Sequence, residues 1–205
     1  MKPLTRFAFD IRVCVTELAA FDALLASKDE LSEGNDILPF FSQNRHLLAY
    51  IGSFTPSMAS FNRLDTEYLF YGDFRADAII GDWDKKSFCI IEFEDARKSS
   101  IFKQNTRSTK DWSPRFEHGY SQVIDWLWKI DDFRQTRMGA SIFGLDSFQF
   151  MGMLVIGRDA FLDDIDRARL TWRMSKVVVD SQKIVCLTFD QLARELRSSL
   201  RTYGY

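Results

Sequence analysis

The sequence contains little of what builds disulfide-rich, zinc-binding or linker-dominated proteins. Its 205 residues include only three cysteines, two histidines, four prolines and ten glycines. The cysteines stand far apart in apolar surroundings, which predicts reduced, buried side chains rather than a disulfide framework. Two distant histidines argue against a His-rich zinc site. The low content of glycine and proline excludes collagen-like and disordered chains.

Long apolar runs and a surplus of one charge are also missing. No stretch approaches the roughly 18 apolar residues that span a bilayer, and polar residues interrupt the first segment, so we expect neither a membrane anchor nor a signal peptide. With its cysteines reduced, the protein is expected to be cytoplasmic. Because 27 basic and 29 acidic residues leave a net charge of −2, any nucleic-acid site must be a local basic patch.

What the sequence does contain is ample material for a core. Hydrophobic residues make up 46% of the chain, and 19 residues are phenylalanine. Strand-like and helix-like patterns alternate along the chain, which predicts an α/β or α+β fold with a mixed central β-sheet flanked by helices. We divide the chain into residues 1–60, an N-terminal strand and helical region packed on the core, and residues 61–205, the main domain.

The local patterns place the elements of this fold. Apolar residues alternate with polar ones over residues 7–15, which predicts a strand, and Thr16 then reads as the N-cap of a helix. Asn35 or Asp36 is expected to cap a second helical region. Ser113 is expected to cap a long helix. Further strands are predicted at residues 68–80, 87–94, 148–156 and 183–189, with helices at residues 163–173 and after a capping Asp190.

The most informative chemistry lies in an acidic hairpin. If a turn of about four residues joins its strands, Asp82 faces Ser87, and counting outward places Asp77 opposite Glu92. Opposed residues point to one face with Cβ atoms roughly 4.5–5.5 Å apart. Glu94 lies two residues further along, so it points to the same face. The spacing therefore predicts three carboxylates at one end of an otherwise apolar hairpin.

Like charges that face each other across two strands are destabilising unless a cation intervenes. A hard divalent cation such as Mg²⁺, held by carboxylates, a carbonyl and waters, is the natural partner. The alternative is an exposed strand end whose acids face water or pair with Arg75, Arg97 or Lys98. A register slip of one residue would turn the opposed acids apart.

The arrangement of the hairpin acids resembles the motif of a known family. An Asp on one strand and a carboxylate-x-Lys pattern on the next form the PD-(D/E)xK nuclease motif. The segments FRADAIIGD, IIEFEDA, HGYSQVIDWL, MLVIGRDA and LTFDQLAREL, in that order, resemble its Shedu-type branch of bacterial anti-phage defence nucleases. The resemblance covers about two-thirds of the chain. It implies a restriction-endonuclease-like three-layer core, a Mg²⁺-dependent DNA endonuclease activity and a homo-oligomer.

The resemblance also implies roles for individual residues. Asp77 and Glu92 match the metal-binding carboxylates, and the Phe93 carbonyl is expected to complete the set. Gln122 resembles the glutamine of a Q-x-x-x-Y helix motif, with Trp126 where tyrosine is usual. Mg²⁺, for which Mn²⁺ can substitute, would lower the pKa of a water molecule and polarise the scissile phosphate.

One position departs from the motif. Glu94 stands where the family carries a lysine that positions or activates the attacking water. Some restriction endonucleases of this fold carry Glu-x-Glu here, so we expect Glu94 to act as a metal ligand or base. The alternative is that Lys98 supplies the missing cation.

A basic segment follows the hairpin and carries no acidic residue between positions 96 and 110. Beside an acidic metal site, such a segment can neutralise phosphates without reading sequence. A solvated surface loop is the alternative interpretation. The predicted nucleic-acid-binding residues are Arg97, Lys98, Lys103, Arg107 and Lys110.

These features leave three hypotheses for function. The first is a metal-dependent nuclease acting on nucleic acid, with DNA as the expected substrate. The second is a catalytically inactive nuclease-fold module that binds nucleic acid or a partner protein, which the missing lysine motivates. The third is a glycosidase-like hydrolase that uses the paired acids. Because no glycine spacing typical of a P-loop or dinucleotide loop is present, no nucleotide cofactor is indicated.

Overall fold

The structure is a computed structural model that describes residues 2–70, 74–107, 109–134, 136–143, 148–179, 183–202 and 204. Its strands are β1 (Arg63–Phe70), β2 (Phe74–Asp82), β3 (Ser87–Phe93), β4 (Phe102–Lys103), β5 (Asp111–Trp112), β6 (Gln149–Val155) and β7 (Val185–Leu187). Its α-helices are α1 (Ile11–Ser27), α2 (Leu38–Gln43), α3 (Arg45–Tyr50), α4 (Pro114–Arg134), α5 (Arg137–Phe143), α6 (Asp164–Lys176) and α7 (Phe189–Thr202). A π-helical segment, Glu33–Ile37, precedes α2, and 3-10 segments span Ile51–Phe54 and Asp159–Phe161.

Five strands form one mixed sheet in the order β1-β2-β3-β6-β7. The first three pair antiparallel, whereas β3, β6 and β7 pair parallel. A parallel pair needs a long crossover connection, and α4 and α5 lie in the connection between β3 and β6. The predicted α/β fold with a mixed central sheet is therefore confirmed.

Helices cover both faces of this sheet and complete three layers. One apolar cluster joins α1, α3 and α7 to the strand residues Cys89, Ile91 and Phe93. A second cluster joins α4 to Phe88 and Ile90 on the opposite face. The region before β1 thus packs on the sheet, while a domain boundary near residue 60 stays a prediction. Within the described ranges, no helix has the length and apolar character that crossing a membrane requires.

The predicted N-terminal strand is wrong. A helix, α1, begins at Ile11 because Asp10 caps it: the Oδ1 atom of Asp10 accepts the backbone N–H of Arg12 at 2.8 Å. Thr16 lies inside the helix, where its hydroxyl donates to the Arg12 carbonyl. Four buried residues at helical spacing pack α1 on the core: Cys14, Leu18, Phe21 and Leu25. The alternation over residues 7–15 obscures this spacing in the sequence.

Two other predicted caps have different outcomes. Ser113 caps α4 as predicted, because its Oγ accepts the N–H of Phe116 at 2.9 Å. The predicted Asp190 cap is wrong, since Asp190 lies inside α7 and Thr188 Oγ1 accepts the N–H of Gln191 at 3.1 Å. A hydroxyl just before the helix is better placed for this than a carboxylate one residue inside it.

Two further predicted elements also differ in detail. Asn35 and Asp36 lie within the π-helical segment Glu33–Ile37 rather than ahead of it, and the Asp36 carboxylate accepts the N–H of Ser32 at 2.8 Å. Residues 68–80, predicted as one strand, contribute to β1 and to β2, which pair with each other. Residues 71–73 lie outside the described part of the chain.

A buried carboxylate anchors the turn between β2 and β3. The four residues Trp83–Lys86 form this turn, as predicted. Asp82 is 1% exposed, and its carboxylate accepts backbone N–H groups on both sides of the chain: those of Ala59, Ser60, Asp84 and Lys85, at 2.8–3.0 Å. Burial acts to raise the pKa of Asp82, but these hydrogen bonds outweigh it and lower that pKa.

Replacing Asp82 by alanine should therefore destabilise the fold by about 3 kcal/mol, because buried N–H donors lose a charged acceptor. Since the pKa of Asp82 is lower in the folded chain, its contribution is present above the ordinary pKa and is lost as the pH falls. Urea unfolding of Asp82→Ala at neutral and acidic pH measures both effects. Asp84→Ala, in the same turn but exposed, is the control. An equal loss in both variants would contradict this account.

Candidate active site

The hairpin of β2 and β3 has the register that turn length predicts. Asp82 pairs with Ser87, and the pairing continues along both strands. Extending it places Asp77 opposite Glu92, as predicted. The Oδ2 atom of Asp77 also accepts the backbone N–H of Phe93 at 2.7 Å. The two acids therefore face each other across the strands, on the side of the sheet that α4 covers.

Burial changes the acidity of these carboxyl groups. Glu92 is 6% exposed, and burial together with the neighbouring Asp77 raises the pKa of Glu92 to about 10. Burial raises the pKa of Asp77 to about 7, although the Phe93 N–H acts in the opposite direction. Burial likewise raises the pKa of Glu94 to about 7. Without a cation, ionising both opposed acids is unfavourable, because two close charges repel each other away from water.

Arg115 is the cation that the fold brings to Glu94. It lies in the first turn of α4, and its guanidinium donates to Glu94 Oε2 at 2.8 Å and to Glu33 Oε2 at 3.0 Å. Lys98, the predicted alternative source of a cation, is exposed, and its backbone N–H donates to Glu30. Sequence reasoning missed Arg115, because only the packing of α4 against the end of β3 brings it to the acids.

The acids open into one cavity of about 440 Å³. Two basic residues that the sequence offered as partners of these acids contact other carboxylates instead. Arg75 pairs with Glu67 at 3.2 Å, and Arg97 lies 3.6 Å from Asp95. The three predicted acids thus line one open cavity rather than an exposed strand edge. The cavity is lined by Glu33, Leu38, Glu67, Arg75, Asp77, Glu92, Glu94, Arg115, His118 and Gln122.

Gln122, one of the lining residues, carries an acceptor without a partner. Its Oε1 atom is buried and has no hydrogen-bond partner among the described residues. Buried acceptors are usually satisfied by a protein group or by ordered water, so this atom is available to a bound water. In the described ranges, no three His, Cys, Asp or Glu side chains are arranged to hold a metal ion by themselves. Mg²⁺ usually takes one or two carboxylates and keeps several waters, so the opposed pair with Gln122 nearby fits such an ion.

A glycine lets α4 approach the site. A Cβ atom on Gly119 would lie 2.9 Å from Glu94 Cγ and 2.9 Å from Leu154 Cδ1. Both contacts are shorter than van der Waals distance, so a larger residue would move the helix or displace Glu94. This close approach is the second feature of the site that no local pattern indicated.

The basic segment after the hairpin is only partly free to bind phosphate. Lys98 and Lys103 are exposed, and neither forms an ion pair within the described residues. A continuous basic surface is therefore not formed. The other three predicted residues have acidic neighbours: Arg97 with Asp95, Arg107 with Asp111, and Lys110 with Asp163 and Asp166.

Comparison with known families identifies a match. A family model described as Shedu protein SduA, C-terminal, matches residues 30–193. The matched range contains the hairpin acids, Arg115, Gln122 and the basic segment, and it leaves all of α1 outside. Comparison with curated proteins finds no match.

Proposed function

The chain belongs to the family of Shedu protein SduA C-terminal domains, and from this we propose that it is a divalent-metal-dependent endonuclease that cleaves DNA. Membership in this family implies a role in anti-phage defence. We place the chain in the PD-(D/E)xK superfamily on the motif at Asp77 and Glu92. We also propose that the chain forms a homo-oligomer, and exposed Trp128 and Trp172 offer apolar surface for its interface.

One observation carries the proposal: half-buried Asp77 and buried Glu92 lie face to face, each with a raised pKa. Such a pair is unfavourable when ionised and becomes favourable beside a cation. We assign Asp77, Glu92 and the Phe93 carbonyl to a Mg²⁺ ion, for which Mn²⁺ substitutes, with Glu94 at the edge of the same site. When bound, the ion would lower the pKa of a water molecule and polarise the scissile phosphate.

The chain's own residues supply the remaining chemistry. Burial raises the pKa of Glu94 to about 7, which suits a general base near neutral pH. Arg115 holds the Glu94 carboxylate in one orientation through a 2.8 Å hydrogen bond. Glu94 is therefore assigned to accept a proton from the attacking water, in place of the motif lysine. Gln122 Oε1 is assigned to accept a hydrogen bond from a water in the cavity.

Cleavage of supercoiled plasmid by the purified chain tests this function. We expect nicked or linear DNA with Mg²⁺ or Mn²⁺ and intact plasmid with a chelator, because only a bound ion would lower the pKa of the attacking water at this site. Asp77→Asn should be inactive while remaining folded. Failure to cut any DNA or RNA with any divalent cation, while nucleic acid is still bound, would contradict the proposal. It would favour an inactive binding module, the function that the missing lysine suggests.

A further inference from the structure

A second cleft lies against the acidic cavity and shares a wall with it. Its volume is about 610 Å³. Arg115 and His118 line both spaces, so one turn of α4 separates them. The cleft is lined by Ser99, Lys103, Ser113, Pro114, Arg115 and His118.

Two hydrogen bonds from Ser113, one from its backbone and one from its side chain, hold the two sides of this cleft together. The N–H of Ser113 donates to the Ile101 carbonyl at 3.0 Å, and the Ser113 hydroxyl donates to the Ser100 carbonyl. Pairing of β4 with β5 then places Lys103 opposite Asp111. The segment that carries Ser99 and Lys103 is thereby fixed to the start of α4 before any ligand binds.

The two spaces differ in charge. None of the six described residues that line the second cleft is acidic, whereas four of the ten residues around the first are Glu and one is Asp. Lys103 is exposed and forms no ion pair within the described residues, whereas Arg115 is already paired with Glu33, Glu94 and Asp95. A lysine ammonium binds phosphate as a point charge.

From this juxtaposition we propose that the second cleft binds the DNA backbone beside the phosphate that is cut, with Lys103 as the phosphate-binding residue. The inference rests on the proposed nuclease function and deepens it by naming the path of the substrate. It narrows the predicted basic segment to Lys103, because Lys98 does not line the cleft. The other three predicted residues are engaged with carboxylates: Arg97, Arg107 and Lys110.

The test is the salt dependence of binding to a short fluorescent DNA duplex, measured with Mg²⁺ in a Glu92→Gln background that prevents cleavage. Each lost phosphate contact lowers the slope of log Kd against log salt by about 0.9. We expect Lys103→Ala to lower the slope by that amount and to weaken binding severalfold. Lys85→Ala removes the same charge at the other end of the hairpin and should leave the slope unchanged.

Two results would overturn the cleft assignment. Equal slopes for Lys103→Ala and Lys85→Ala would show that Lys103 does not contact a phosphate. An equally large effect of Lys98→Ala would show diffuse attraction by the whole basic segment. The nuclease proposal is tested separately by the plasmid assay: DNA binding that depends on Lys103 without any cleavage by the unsubstituted chain would support the cleft and contradict the nuclease.

Discussion

Replacing Glu92 by glutamine should abolish metal-dependent cleavage and, at the same time, make the metal-free chain more stable. The proposed ion contributes several kcal/mol to the transition state, which corresponds to a rate loss of about a thousandfold or more. The stability gain has a different origin. Glu92 is 6% exposed and faces Asp77, so a neutral amide of similar shape removes the repulsion of a buried acidic pair.

Initial cleavage rates and thermal unfolding with a chelator measure these two effects on the same preparations. Glu195→Gln makes the same chemical change on the exposed surface of α7, which packs on the other face of the sheet, and it should change neither rate nor stability. Loss of activity with loss of stability in Glu92→Gln would indicate a structural role for Glu92. Retained cleavage would show that Glu92 takes no part in the reaction.

The metal-free chain should become less stable as the pH rises. The pKa of Glu92 is about 10 in the folded chain, and those of Asp77 and Glu94 are about 7. All three lie above the values of exposed carboxyl groups, so the folded chain binds more protons than the unfolded chain between about pH 5 and pH 9. Stability therefore falls through this window, by an amount on the order of several kcal/mol for buried groups.

Saturating Mg²⁺ should reverse this trend, because a cation favours the ionised carboxylates and stabilises only the folded state. Urea unfolding midpoints across the pH window, with a chelator and with Mg²⁺, provide the measurement. Glu92→Gln should flatten the metal-free curve and remove most of the Mg²⁺ effect. Identical curves with and without the ion would contradict a metal site at the opposed acids.

The hairpin was predictable from the sequence because its information is local. A four-residue turn and strict alternation determine that Asp82 pairs with Ser87, and the position of Asp77 relative to Glu92 then follows by counting. The start of α4 was predictable for the same reason, since Ser113 and Pro114 begin the helix without any distant contact.

The N-terminal helix shows where local reasoning fails. Residues 7–15 alternate as a strand would, but Val13 and Val15 are 39% and 38% exposed. The buried positions recur at helical spacing from Cys14 onward, and the Asp10 cap starts the helix. The packing of a long helical stripe on the core therefore outweighs the short strand-like alternation.

The electrostatics of the site could not be read from the sequence. Arg115 contacts both Glu94 and Glu33 only because the tertiary fold brings α4 and the segment before α2 to the end of β3. Gly119 gave no signal either, because its role is to leave space for Glu94. Charges that lie far apart in sequence and interact in a cavity need the tertiary fold to be identified.

The most direct measurement of the central claim is the anomalous diffraction of Mn²⁺ in crystals of this chain. We expect an anomalous-difference peak between the carboxylates of Asp77 and Glu92, within bonding distance of the Phe93 carbonyl. The peak should be lost in Glu92→Gln. Mn²⁺ density found only elsewhere, with Asp77 and Glu92 hydrogen-bonded directly to each other at saturating Mn²⁺, would contradict it.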